Sequence, residues 1–467
     1  MKDNIYRTFL LTALVVLVLL SLHLLPPLKI GDTELRRVSV LSDISDSPFD
    51  KEQIDVIPKP VEPRTDQTKI IAGKKVSFKE IWPKGVERIV DFSAGKANGM
   101  NHFYAMLDSL SRKRQLGRPV RIAYYGDSFI ESDILTEYLR DMLQAKYGGG
   151  GVGWIDAGNE LISYKPTVVC SFSGLKEYMV MKKDGYSPNE ASISERYYPA
   201  SSVASLSLRG GYKECPRTMK WGASRLYLKT KSGCGVTARV NDSIVKSFSL
   251  SPSSNVQFVE TLMPSTSISY SVNGSGNTLY GAALETDNGI VLDNFSMRGS
   301  SGVTLSTLNA GMLSDFARIR PYDLIIFQFG TNAITAKTNE KEMEMYMGQM
   351  KKVVDLFKRC FPGTSILIVS APDRGARVNG TIGTMRTLPL LVGYQEQLAS
   401  QCGVGFYNLF QSMGGEGAMG RLSEKNMCSK DFVHISHKAG KGVAHGVFKS
   451  ILAGQQNWTR KSRLQIN

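Results

Sequence analysis

Four short segments of this 467-residue sequence carry residue types that can do acyl chemistry together. Gly126-Asp127-Ser128 supplies a serine, whose hydroxyl is a weak nucleophile until a neighbouring base takes its proton. Asp431-Phe432-Val433-His434 places a carboxylate three residues before an imidazole, so both side chains can converge from one turn. The imidazole would be the general base, and the carboxylate would fix its tautomer and stabilise the imidazolium. Asn332, after Gly330-Thr331, offers an amide that could donate to an oxyanion, and Gly299 closes the run 289–299 with a backbone N–H that can approach a ligand closely.

Each segment also has a plainer reading. Ser128 could cap a helix, as could Ser132 and Asp133 nearby. Gly-x-Asn is a common turn. His434 could be a solvated loop residue, or could share a metal with His437, although no third ligand at suitable spacing is evident. Histidine is scarce, with five in the chain, and neither His102, His437 nor His445 has an acid three residues before it.

The surrounding pattern shows what must position these groups. The apolar run 120–125 reads as a buried strand, and Gly126-Asp127-Ser128 interrupts it before a helical pattern with Ile134, Leu135, Tyr138, Leu139, Met142 and Leu143 on one face. Runs at 324–329 and 365–369 with a helical stretch at 342–357 between them, a strand at 405–409 and a helix after His437 continue the alternation. That order predicts an α/β fold with a mostly parallel sheet covered on both faces. Between about 161 and 285 the texture becomes short alternating runs, among them 224–229, 236–240, 244–250, 256–262, 268–272 and 279–284, with an Asn241-Asp242 turn. This predicts an inserted all-β sandwich or jelly roll. Its aromatics Tyr178, Tyr186, Tyr197, Tyr198, Tyr212 and Trp221 are candidates for stacking on sugars or for core and turn positions.

Composition narrows the class. With 42% hydrophobic and 21% charged residues, the chain is neither mainly disordered nor a coiled coil nor a polytopic membrane protein. The six cysteines are too few for a disulfide scaffold and form no zinc-type cluster; buried thiols and bridges both remain open. Lys2 and Arg7 precede the apolar stretch 8–25, which as a helix would reach ~27 Å, a membrane-spanning length without a small-residue cleavage site. Residues 1–37 are therefore expected to be an uncleaved signal anchor with its flanks, and the Pro-rich polar run 38–70 a disordered tether. The formal net charge is +15, and the body from residue 71 onward holds 48 basic against 32 acidic residues, so the excess sits there. Nucleic acid is the least favoured partner, because no recognised binding motif accompanies the charge.

In this order the four segments resemble the SGNH/GDSL hydrolase superfamily: Gly-Asp-Ser, a Gly, Gly-x-Asn and Asp-x-x-His, matched by Ser128, Gly299, Asn332, and His434 with Asp431. The block Gly126–Asp133 and the Gly148-Gly149-Gly150-Gly151-Val152-Gly153-Trp154 run look most like the branch of bacterial cell-envelope polysaccharide and peptidoglycan O-acetylesterases and O-acetyltransferases. The resemblance implies a three-layer α/β/α domain in two parts, 71–160 and 286–467, interrupted by a β-domain at 161–285 of carbohydrate-binding character. It implies a Ser128–His434–Asp431 triad, an oxyanion hole from Ser128, Gly299 and Asn332, no cofactor or metal, and an acylated envelope glycan as partner. It also implies a body held outside the cytoplasm on the inner membrane. Hydrolysis to release acetate, transfer of the acyl group with a membrane acyl-donor partner, and non-catalytic glycan binding all stay open. Two positions depart from the pattern. Phe129 follows the serine in place of Leu, and Arg298 stands before the glycine, so Ser300 or Gly302 could supply the oxyanion N–H instead.

Overall fold

The structure, a computed structural model, describes residues 77–464 except 212–213 and 379–380, together with the strands Lys29–Ile30, Thr33–Glu34, Asp66–Ile71 and Lys74–Lys79 and a few single positions near the N-terminus. Most of the span expected at 8–25, and the tether expected at 38–70 as far as residue 65, lie outside the described residues. Among those described, no helix is long and apolar enough to cross a membrane. The chain forms two compact units, Met1–Val56 and Ile57–Asn467. Within the first, Lys29–Ile30 pairs antiparallel with Thr33–Glu34.

The second unit is built on a six-stranded sheet. Its strands are β1 (Ile89–Asp91), β2 (Val120–Gly126), β3 (Ile290–Ser296), β4 (Leu324–Gln328), β5 (Ser365–Val369) and β6 (Gly405–Tyr407), in the order β3-β2-β4-β5-β6-β1. All pairings are parallel except that of β6 with the edge strand β1. Every residue of β2, β4 and β5 is buried, as near-continuous Val/Ile/Leu/aromatic runs require when both faces of a sheet are covered. Helices α1 (Asn101–Ser111), α2 (Thr136–Tyr147) and α6 (His437–Arg463) share one apolar cluster with one face, and α3 (Ala310–Ile319), α4 (Glu340–Cys360) and α5 (Leu388–Cys402) share another with the opposite face. Helix α4 starts where the sequence supplies a capping box: Asn339 accepts from the Glu342 N–H while Glu342 accepts from the Asn339 N–H.

The segment between β2 and β3 forms two antiparallel layers joined by one long strand, Arg196–Gly210. Its first half pairs with Asn277–Glu285 and its second with Ser267–Asn273 and Val168–Leu175. Leu206, Val236, Ala238, Ile268 and Val272 from one layer meet Leu226, Leu228, Val259, Leu279 and Leu284 from the other in a single core. The Asn241-Asp242 turn, with φ of +48° and +61°, closes the hairpin whose last pair is Val240 and Ile244. The layers also draw in Gly153–Asp156, which lies before residue 161 and pairs with Gly281–Leu284.

One layer is buried on both sides. Tyr227, Tyr280 and Ala283 point away from the sandwich core into the cluster shared with Phe295 of β3 and Phe316 of α3. Charges bridge the same junction. Arg320 bonds Asp293 of β3 at 2.8 Å and Glu285 at 3.0 Å, and Arg121 of β2 bonds Glu285 at 2.7 Å, all four side chains being almost fully buried. Burial alone would push the Glu285 carboxyl up, but the Arg121 and Arg320 guanidiniums outweigh it and hold the group ionised, well below the usual carboxylate range. The six cysteines are all free thiols.

Candidate active site

Strand β2 delivers Gly126-Asp127-Ser128 to the carboxyl end of the sheet, beside the ends of β3 and β4. Ser128 does not cap the helix that follows. A short 3₁₀ turn, Glu131–Asp133, intervenes, and α2 begins only at Thr136. The turn is bent by two non-glycine residues with left-handed backbone, Ser132 (φ +56°) and Asp133 (φ +62°). Asp133 is buried against Arg140 at 3.1 Å and Thr167 at 2.7 Å, an anchorage that offsets the cost of this conformation.

His434 reaches the serine from the loop before α6. Its Nε2 lies 2.8 Å from Ser128 Oγ, and its Nδ1 lies 2.6 Å from Asp431 Oδ2. The other oxygen of Asp431 accepts from the N–H groups of Val433 at 2.9 Å and His434 at 3.1 Å, so the carboxylate folds the turn that carries the imidazole. Phe432 takes a positive φ of +54° inside this turn, and its carbonyl accepts from Gly375 N–H. Burial would raise the Asp431 carboxyl; the hydrogen bonds from the His434 ring and the two backbone N–H groups win and hold it below its ordinary value. With Nδ1–H donated to Asp431, Nε2 is the lone-pair nitrogen facing the serine hydroxyl. Ser128 is buried, while the His434 side chain is 33% exposed, which leaves the imidazole within reach of water.

The oxyanion candidates differ in their hydrogen bonding. Ser300 N–H donates to Met297 O, and Gly302 N–H donates to Ser300 Oγ, so neither is free. Among the described residues, the N–H groups of Ser128 and Gly299 have no protein partner. Gly299 has φ +76°, and a Cβ there would meet only Met181 Cε at 3.6 Å; its backbone conformation, rather than lack of space, calls for glycine. Arg298 turns aside to pair with Glu131. Asn332 sits on the turn after β4, its amide nitrogen 3.1 Å from Ser300 O and 3.3 Å from Asp127 Oδ2.

Three supports carried no signal in the motifs. The Asp127 carboxylate accepts from Phe129 N–H at 2.9 Å as well as from Asn332. Burial raises this group to about 6, partly countered by the Phe129 N–H and by His434. Tyr346 of α4 donates to Ser301 O at 2.7 Å and pins the loop beside Gly299. Arg374 donates to the carbonyls of Thr331 at 2.7 Å and Ile334 at 3.0 Å and so holds the Asn332 turn. Apart from Phe129, two residues from Asp127, their partners are 40 to 205 residues away in sequence, and only the opposite charges of Glu131 and Arg298 beside two motif blocks could have hinted at a pairing.

His437 bonds Glu137 at 2.8 Å instead of joining His434, and no metal-holding group of His, Cys, Asp or Glu exists among the described residues. Of the aromatics in the insert, Tyr197, Tyr198 and Trp221 are buried; Tyr178 stacks on Tyr197 at 5.0 Å, Tyr178 and Tyr186 are half-buried, and Tyr212 lies outside the described residues.

No protein-family model and no curated protein matches the chain. Among solved structures, a peptidoglycan O-acetylesterase superposes with a TM-score of 0.64 at 20% identity, over 79% of this chain and 99% of its own, and so shares the fold. A family two carbohydrate esterase from Cellvibrio japonicus gives 0.19 at 12% identity over 50% and 86% of the two chains. A Corynascus thermopiles carbohydrate esterase of the same family, with its carbohydrate-binding domain, gives 0.28 at 9% over 57% and 97%.

Proposed function

We propose that the chain is a serine esterase of the SGNH/GDSL type that removes O-acetyl groups from a cell-envelope glycan, peptidoglycan or another polysaccharide. The observation that carries the reading is the continuous hydrogen-bonded line from Ser128 Oγ through the His434 ring to Asp431. The shared fold with a protein named a peptidoglycan O-acetylesterase supports the choice of ester.

In this mechanism Ser128 Oγ attacks the acetyl carbonyl as its proton passes to His434 Nε2, and Asp431 stabilises the imidazolium. The negative oxygen is met by the N–H groups of Ser128 and Gly299. Asn332 joins them by turning one amide hydrogen from Asp127 or Ser300 O toward the oxyanion. Collapse breaks the bond to the sugar oxygen, which takes the proton from His434 and leaves as the hydroxyl. Water then attacks the acetyl-enzyme with His434 again as base, releasing acetate. With this reading go the anchor expected at 8–25 and a body working outside the cytoplasm on an acylated polymer.

Turnover of a chromogenic acetyl ester by the wild type and its loss in a folded Ser128→Ala variant would support the reading. Equal rates would remove Ser128 as nucleophile. Acetylated product formed from an unacetylated glycan acceptor would replace hydrolysis with transfer.

A further inference from the structure

Beside the edge strand β1, an open cleft of about 750 Å³, solvent at its mouth included, lies between the stretch 78–82 and the end of α6. Four aromatic side chains line it: Phe78 and Tyr104 are buried, Trp82 and Trp458 half-buried. The indoles are fixed by bonds around them. Trp82 Nε1–H donates to Glu80 at 2.8 Å, and Asn457, the neighbour of Trp458 on α6, accepts from Ile81 N–H at 2.9 Å and donates to Ile81 O at 3.0 Å. A platform ordered in this way loses little freedom when a ligand packs on it.

Tyr104 adds a polar group. It is 6% exposed, and its hydroxyl makes no hydrogen bond with a described residue. Burial, with Asp91 and Glu80 close by, holds the group well above its ordinary pKa, so it stays a hydroxyl that can both donate and accept. Gly454 of α6 makes room for it, since a Cβ there would collide with the Tyr104 oxygen. The charges lining the cleft balance, Glu80 and Asp91 against Arg88 and Lys461, and Glu87 and Glu396 further offset Arg88. Both oxygens of Asp91 already accept backbone N–H groups, from Ser93 and Met100 at 2.9 Å. The Asn101 amide, by contrast, bonds no described residue. Aromatic faces beside an uncommitted hydroxyl and amide, without net charge, fit a neutral ring that has an apolar face and a hydroxylated edge.

We infer that this cleft is a glycan-binding site apart from the triad, taking a neutral pyranose whose C–H face packs on the Trp82 and Trp458 indoles and whose hydroxyls bond Tyr104 and Asn101. Trp458 stands about 20 residues along α6 from His437, or ~30 Å at the helical rise, while the His434 turn lies just before that helix. One sugar ring cannot reach both places. The site therefore holds a different part of the polymer and raises the local concentration of its esters near Ser128. That role rests on the esterase reading; the binding does not.

The test is calorimetric titration of the full chain with cellopentaose and with chitopentaose, neutral β-1,4-linked sugars that carry no ester and differ in the substituent at C2. The wild type is expected to bind at least one of them saturably. Affinity should fall about tenfold in Trp82→Ala, through loss of an aromatic face, and about three- to tenfold in Tyr104→Phe, through loss of one hydrogen bond. Tyr104→Phe keeps the ring and carries the test if the circular dichroism of Trp82→Ala shows that it does not fold. No binding of either sugar by the wild type, or affinity unchanged in Tyr104→Phe or in folded Trp82→Ala, overturns the inference and leaves the triad assignment untouched. Binding that depends on these residues in a chain that hydrolyses no ester would uphold the site and remove the esterase reading alone.

Discussion

Asp127 Oδ2 accepts a 3.3 Å hydrogen bond from Asn332 Nδ2, tying the residue before the proposed nucleophile to the amide proposed to stabilise the oxyanion. The two are 205 residues apart, on turns that follow the adjacent strands β2 and β4. In the proposed mechanism Asp127 is therefore a positioning residue, acting on the reaction through Asn332.

Asn332→Ala should lower kcat on a chromogenic acetyl ester by about 10²- to 10³-fold with little change in KM, because one preorganised donor to the oxyanion is lost. Steady-state kinetics on a variant with an unchanged circular dichroism spectrum checks this. Asp127→Asn should reproduce part of that loss, again in kcat, since it loosens the aim of Asn332 without removing it.

Asp127 also makes stability depend on pH. Its carboxyl stands at about 6 in the folded chain against an ordinary 3.8, because burial disfavours the charged form. The folded state therefore holds more proton than the unfolded one between those values, and this group's contribution to stability is present below pH ~4 and lost as pH rises through ~6. The Tm of Asp127→Asn relative to wild type should accordingly shift in the variant's favour between pH 4 and pH 7. A gap independent of pH would show that the carboxyl is not perturbed.

Asp431→Asn should cut kcat by up to about 10⁴-fold, because the amide can present its N–H to Nδ1 and leave His434 in the wrong tautomer. The amide oxygen can still accept from Val433 and His434 N–H, so the turn should persist. Measured kcat alongside Tm separates the two effects.

Glu285→Gln tests the junction between the sandwich and the sheet. It removes the buried carboxylate shared by Arg121 and Arg320 and should destabilise the chain by about 3–5 kcal/mol, read as a lower urea midpoint. A change of a few tenths would mean that the remaining Arg320–Asp293 pair suffices.

What could be read from residues alone followed from how local each feature is. Asp431 and His434 lie three apart, so their convergence is a property of one turn, and the strands at 365–369 and 244–250 are contiguous apolar or alternating runs. Gly-Asp-Ser was ambiguous with a helix cap because the residues that bend the following turn, Ser132 and Asp133, are themselves good caps. The side chains that hold Asp133 in its left-handed conformation lie outside the motif block, Arg140 seven residues on and Thr167 34 residues on. The docking of the sandwich was not legible either. The run 279–284 reads as one more alternating strand of the sandwich, whereas in the structure that strand is buried on both faces, and its partners on the outer side, Phe295 and Phe316, belong to a later stretch of chain.

In the proposed mechanism Ser128, activated by His434, cleaves acetyl esters on an envelope glycan. Acetate released from purified O-acetylated peptidoglycan by the wild type, and by a folded Ser128→Ala variant in parallel, tests it most directly. The expected result is time-dependent acetate release with the wild type and only background with the variant. Equal release by both, or none by the wild type, would contradict the account.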